Sequence, residues 1–416
     1  MNDITATHQS ILEGLSNQLL QECESIERIR SSCGSLSGAE YFFDLAARYF
    51  NIEHMQKQNP KVIVLGTALP PEIVYAFTGE NPLWVFGGSR SMTTVSDSDV
   101  PRDTDPISRA MLGYLQAAPK MAETALVIVP LVSDNQRKLA YILKDQGWNV
   151  ETVHLPPYTS IGGDVYDDEI KRLCGVLGMH LGKRFPSYKN AVLFMEKAGV
   201  AIRRFTTVAS SRPGFISAGA RMLILNSFYM ARDLNHWVTQ LSALSDELEA
   251  KPAEPMSTQP KFLLIGSPVY FCCYKIPLLL HDIGVDLCTY IDPGLYRFAA
   301  PRLAGNKITL LSIAAAQLRY DMSGAFIDND VLLTALKEQV ELTKPDGVIW
   351  HILRGQNEYD FELIRLESYI TDKLDLPVFR LETDYQYQDV EQLRVRMEAF
   401  SELIKHRKAS GKEIGV

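Results

Sequence analysis

The chain has 416 residues, 46% hydrophobic and 22% charged, with a formal net charge of −8. This is the composition of a globular protein with room for more than one core. The acidic balance, without a basic tract interleaved with aromatics, excludes nucleic acid as an expected partner.

No apolar stretch reaches the roughly 18–20 residues that span a bilayer, so no membrane partner is expected. The opening MNDITATHQSILEGL lacks the basic and apolar regions of a secretory signal. Five of the six cysteines lie in apolar or helical surroundings, which reads as reduced thiols in cytoplasm.

Apolar residues at three- and four-residue spacing predict helices over 7–31 and 38–50, separated by SSCGSLSG. KVIVLG, PLWVFGG, TALVIVP and WNVETVHL then read as strands, with helices PPEIVYAFTG, ISRAMLGYLQAAP and DNQRKLAYILKDQG between them. Short apolar strands alternating with helices predict a parallel sheet covered by helices. Long helical runs follow over 165–250, and KPAEPMSTQP reads as a linker. The alternation then restarts with strands KFLLIGSP, VDLCTYI, DGVIWHIL and LPVFRLETD. Helices are expected around YKIPLLLHDIG and over DVLLTALKEQVEL, DFELIRLESYITDKL and DVEQLRVRMEAFSELIKHRK.

The expected fold class is α/β: two Rossmann- or flavodoxin-like lobes with parallel sheets flanked by helices, plus helical N-terminal and middle segments. The boundaries are 1–55 for the helical N-terminal segment, 56–164 for the first lobe and 165–250 for the helical middle segment. Residues 251–260 are the linker and 261–416 the second lobe. ALVIVPLVSDNQRKLAYILKDQGWNVETVHLP lies beside DGVIWHILRGQNEYDFELIRLESYITDKLDLPVFRLETD as a weak copy. Open α/β sheets bind ligands at the C-terminal ends of their strands. The loops Ser133-Asp134-Asn135 and Gln356-Asn357-Glu358 are therefore candidate opposing walls of one cleft.

There is no P-loop, no GxGxxG after a strand, no GxSxG, no HExxH and no zinc-ligand spacing. No metal site is predicted. Candidate residues of the cleft are Thr67, Glu72, Arg109, Ser133, Asp134, Arg354 and Gln356. Each also has a local explanation. Glu72 is an acid in a first helical turn, Asp103 and Asp105 precede a helix they can cap, and Ser133 can cap the next. Arg109 is either an anion contact or a surface residue. Adjacent Cys272 and Cys273 in VYFCCYKIPLLL read as buried apolar cysteines.

The chain resembles the 2-hydroxyacyl-CoA dehydratase/benzoyl-CoA reductase family over about residues 40–405. The resemblance rests on Pro70-Pro71-Glu72, DTDPISRAMLG, PLVSDNQRKL, GSPVYFCCYKIPLLLHDIG, DGVIWHILRGQNEYDFE and LPVFRLETDYQYQDVEQLRVRMEAF. It implies a subunit of a lyase or acyl-CoA reductase system that works with an ATP-dependent activator. Active members hold a [4Fe-4S] cluster on cysteines in three strand-end loops, which correspond here to Gly66-Thr67-Ala68, Ser133 and Gln356. None of these is cysteine, and iron–sulfur clusters require thiolates. Cysteines 23, 33, 174, 272, 273 and 288 lie outside these loops.

Three functions follow as expectations. The first is a cluster-less subunit of a heterodimer, forming an acyl-CoA-handling cleft with a cysteine-bearing partner. The second is a non-catalytic binding or assembly protein on the same scaffold. The third is an iron–sulfur protein with relocated ligands such as Cys272 or Cys33.

Overall fold

The computed structural model describes residues 22–413 except 35, 160–162, 185, 253–258, 272, 300–307 and 325. Most of the helix expected over 7–31, the middle of the linker and Cys272 lie outside the described residues; 22–31 are helical.

Eight strands form: β1 Val62–Leu65, β2 Leu83–Val85, β3 Leu126–Pro130, β4 Asn149–Val153, β5 Lys261–Gly266, β6 Asp286–Tyr290, β7 Gly347–Leu353 and β8 Val378–Thr383. They make two four-stranded sheets, ordered β2-β1-β3-β4 and β6-β5-β7-β8. Every pairing is parallel. The fold is therefore α/β, and each sheet repeats the order second, first, third, fourth. The two similar sequence stretches occupy equivalent places, one running from β3 to β4 and the other from β7 to β8.

Central strands are covered on both faces, so β1, β3 and β7 are buried at every residue. The edge strands β4 and β8 mix buried with exposed positions. This explains why the central strands read as unbroken apolar runs.

Helices join successive strands, among them Pro71–Thr78, Pro106–Ala117 and Asp134–Asp145 in the first lobe. Lys275–Asp282, Asp330–Thr343 and Asn357–Ser368 do so in the second. The last gives way to a π-helical turn, Tyr369–Lys373, within the stretch expected to be one helix. In the middle segment, Lys189–Ser210 packs on Leu234–Glu249, and Gly163–Leu181 packs on Leu310–Tyr320. Arg90–Val95 and Leu310–Tyr320 are helices that the periodicity did not predict. No described helix is long and apolar enough to cross a membrane.

Chain order reverses between β1 and β3 in one sheet and between β5 and β7 in the other. A crevice opens at such a reversal because consecutive connections leave on opposite faces. The two crevices meet. Arg297 Nη1 donates to Leu69 O at 2.7 Å, and Tyr385 OH donates to Gly87 O at 2.7 Å. Gly355 has φ +83°, and a Cβ there would lie 3.0 Å from Asp105 N. The turn after β7 thus rests directly on first-lobe backbone, and a side chain would push the lobes apart.

Candidate functional site

The two crevices enclose an inner cavity of about 70 Å³. Gly66, Thr67 and Ala68 after β1 line it, with Ser133 after β3, Tyr270 after β5 and Gln356 after β7. The three loops singled out in the sequence are therefore neighbours in space. A wider outer chamber of about 640 Å³ is lined by Ser133, Asp134 and Asn135 on one side and Asn357 and Glu358 on the other. Val132, Ser133, Gly324 and Glu358 border both chambers, so they form the throat between them.

The remaining candidates fall elsewhere. Glu72 is buried in the first turn of the Pro71–Thr78 helix and is not among the cavity-lining residues. Arg109 is buried, pairs with Asp97 and does not line the cavity either. On the inner side of the Pro106–Ala117 helix, its described charged partner is Asp97. Arg354 is 64% exposed and lies 3.6 Å from Asp384, outside both chambers. Asp134 borders the outer chamber only, with its side chain 94% exposed and 3.6 Å from Arg137.

Local chemistry accounts for some of the lining. Ser133 caps the Asp134–Asp145 helix, its hydroxyl accepting from Gln136 N at 3.3 Å. Asp105 caps the Pro106–Ala117 helix, accepting from Ser108 N at 2.9 Å. Asp105 has a second task. The side-chain amides of Asn135 and Gln356, from the loops after β3 and β7, lie close enough to its carboxylate to favour the charged form. Burial raises its pKa, and these donors pull it back only in part. Gln356 Oε1 is buried without a hydrogen-bond partner among the described residues.

Three residues the sequence reading passed over complete the cavity. Arg297 is 3% exposed, and its guanidinium is taken up by the carbonyls of Gly294, Leu69 and Thr67. Asp321 accepts from Gln317 Nε2 at 2.8 Å and from Ser323 N at 2.9 Å; burial raises its pKa. Tyr270 OH lies 3.0 Å from Thr67 Oγ1, and burial raises its pKa too. They come from turns and loops without a periodicity to read; Tyr270 lies in the GSPVYFCCYKIPLLLHDIG segment, but nothing there singles it out. Glu358 was legible only as part of a polar loop. Burial, and then the nearby Asp105 and Asp134 carboxylates, raise its pKa to about 7.

The donor set decides what the cavity can hold. Its described lining offers carboxyl, amide, hydroxyl and guanidinium groups, and no cysteine. A site of this composition does not match the thiolate set of an iron–sulfur cluster. At Gly66 the backbone has φ +74°, and a Cβ would lie 3.3 Å from Gln136 Nε2, so a larger residue there would be strained. Cys33 is buried away from the cavity, and burial pushes its thiol up to about 12. Among the described residues no group of three or more His, Cys, Asp or Glu is placed to hold a metal ion.

Comparison with known proteins fits this architecture. The chain is 21% identical over 369 residues to an Escherichia coli (strain K12) protein provisionally named dehydratase subunit YjiM. That match covers 83% of this chain and 91% of the relative. The model of the 2-hydroxyglutaryl-CoA dehydratase D-component family matches residues 67–404, and the chain belongs to that family.

Proposed function

We propose that the chain is a subunit of a 2-hydroxyacyl-CoA dehydratase-type system that shapes an acyl-CoA-handling cleft without holding a [4Fe-4S] cluster of its own. The observation that carries this reading is the meeting of three strand-end loops around a cavity without a described thiolate. Asp105 faces the side-chain amides of Asn135 and Gln356, which come from two of those loops. In this role the chain orients the acyl group, while a cysteine-bearing related subunit and an ATP-dependent activator supply the electrons.

Anaerobic purification followed by iron and sulfide analysis tests it. The chain alone is expected to carry no stoichiometric iron and to pair with a cysteine-bearing paralogue when the two are co-expressed. Stoichiometric iron on the isolated chain would overturn the proposal.

The wider outer chamber of about 640 Å³ favours a second reading, a binding or assembly protein that holds an acyl-CoA without turnover. Thermal stabilisation by CoA esters, with no dehydration in the presence of partner and activator, selects it over the first.

A further inference from the structure

Charge in the inner cavity does not balance. Among its described lining residues Asp105, Asp321 and Glu358 carry carboxyls, and Arg297 carries the one cation. The Arg297 guanidinium is bonded to three backbone carbonyls. Its charge also acts on Asp292, outside the cavity, as well as on Asp321.

The three carboxyls are unequally served. Asp105 caps its helix and faces the amides of Asn135 and Gln356. Asp321 accepts from Gln317 Nε2 and Ser323 N. Glu358 has only its own backbone N–H in support, and the charges acting on it, Asp105 and Asp134, are both negative. Its stem lies against Gly324, where a Cβ would collide with the Glu358 Cγ, so the carboxyl is held at the throat. Glu358 and Asp321 both act on the Tyr359 phenol, so they share one end of the cavity.

Two further oxygens at this wall are unpartnered. Ser323 is 8% exposed, and its Oγ lies near Asp321 without a hydrogen-bond partner. Gln356 Oε1 is likewise enclosed without one. A wall of enclosed acceptors with uncompensated negative charge is complementary to a cation that brings several donors. A metal ion is a poor match, since no three acidic, histidine or cysteine side chains among the described residues converge on one point. An ammonium group supplies one charge and three N–H donors on a compact head. The cavity of about 70 Å³ has room for a few water-sized groups, hence for a short chain behind that head.

We propose that the inner cavity binds the ammonium group of a short amine at Glu358 and Asp321, and that the acyl group handled in the cleft is accordingly a short aminoacyl chain. The second half rests on the function proposed above; the ammonium site does not.

Calorimetric titration of the full chain with 3-aminopropanamide, and with its uncharged counterpart butanamide, tests the site. One-to-one binding of the amine is expected, at least tenfold tighter than butanamide. Glu358→Gln should weaken the amine roughly five- to tenfold, the scale of one charge-assisted bond, and leave butanamide unchanged. Asp321→Asn provides a second variant. The ammonium site is overturned by absence of saturable amine binding or by equal affinity for butanamide. Unchanged amine affinity in a variant of Glu358 and in one of Asp321, each with native circular dichroism, also overturns it. Titration with β-alanyl-CoA and butyryl-CoA then separates the two halves, the first ester being expected to bind at least tenfold tighter. Equal binding of both esters overturns the aminoacyl class and leaves the acyl-CoA reading standing. Amine binding with neither ester bound overturns the acyl-CoA reading, and the aminoacyl class with it, and leaves the ammonium site standing.

Discussion

The loops after β3 and β7 hold equivalent places in two sheets of identical strand order, yet they are built differently. In the first lobe Ser133 caps its own helix, and its neighbour Asp134 points into solvent. In the second lobe Gln356 makes no cap bond for the helix that follows it, and its amide reaches across to Asp105. Glu358, two residues on, is largely enclosed at the throat between the chambers. One loop is explained by its own helix, the other only by the opposite lobe. Duplicated architecture therefore does not imply duplicated roles.

The largest effect should come from Glu358. Its pKa is raised to about 7, so between about pH 4.5 and 7 the native state binds this proton more readily than the unfolded chain. Stability from this group is greatest in the acid and is lost as pH rises through that window. At 1.36 kcal/mol per pH unit, the loss approaches about 3 kcal/mol. His351 on β7 works in the opposite direction. Its pKa is lowered to about 4 by burial, with Nδ1 near Ser267 O and Nε2 near Thr383 Oγ1. The native state binds that proton less readily than the unfolded chain, so its contribution is lost as pH falls from about 6.5 to 4. The two slopes offset each other in the wild type. Glu358→Gln should therefore be more stable than wild type by about 2–3 kcal/mol at pH 8, with the gap closing near pH 4.5. Urea unfolding across this range measures it, and parallel profiles for the two proteins would remove Glu358 from the account.

Asp105 comes next because it serves both loops. Asp105→Ala removes a helix cap and the carboxylate that the amides of Asn135 and Gln356 face. A cost of about 2–3 kcal/mol in urea unfolding is expected, and Asp105→Asn, which keeps a capping oxygen, should cost less. Gln356→Ala should cost about 1 kcal/mol, because its amide faces a buried carboxyl across the lobes. The double variant of Asp105 and Gln356 should cost clearly less than the sum of the two, since the two side chains interact. Additivity would show that the lobes are not joined there.

The sequence made the sheets and strand-end loops legible for a physical reason. Central parallel strands are buried on both faces, so KVIVLG and ALVIVP are apolar runs ended by glycine or proline, and DGVIWHIL is nearly as apolar and stops at Arg354-Gly355. Polar residues just after such runs must lie at one edge of the sheet, which is why Ser133 and Gln356 could be placed together. The side chain's direction was not legible. Glu72 and Arg109 follow the same strand-end logic, but both turn into the structure away from the cavity. Arg297 and Asp321 left no signal because short turns with no period to read carry them into the cleft, and Tyr270 was legible only as one residue of the GSPVYFCCYKIPLLLHDIG segment.

The smallest effect should belong to Ser133. Its hydroxyl accepts from Gln136 N, and Gln136 Oε1 separately accepts from Val132 N at 3.1 Å, so the turn keeps a second support. Ser133→Ala should therefore cost about 1 kcal/mol, the typical value of a lost cap. Combined with Gln356→Ala, it should add nearly independently, because its bond stays within one loop while the other crosses between lobes. A clear shortfall from additivity would mean that the loop after β3 positions Asn135 for Asp105. The cap would then belong to the cross-lobe network, and the contrast between the two loops would narrow to a difference of one residue.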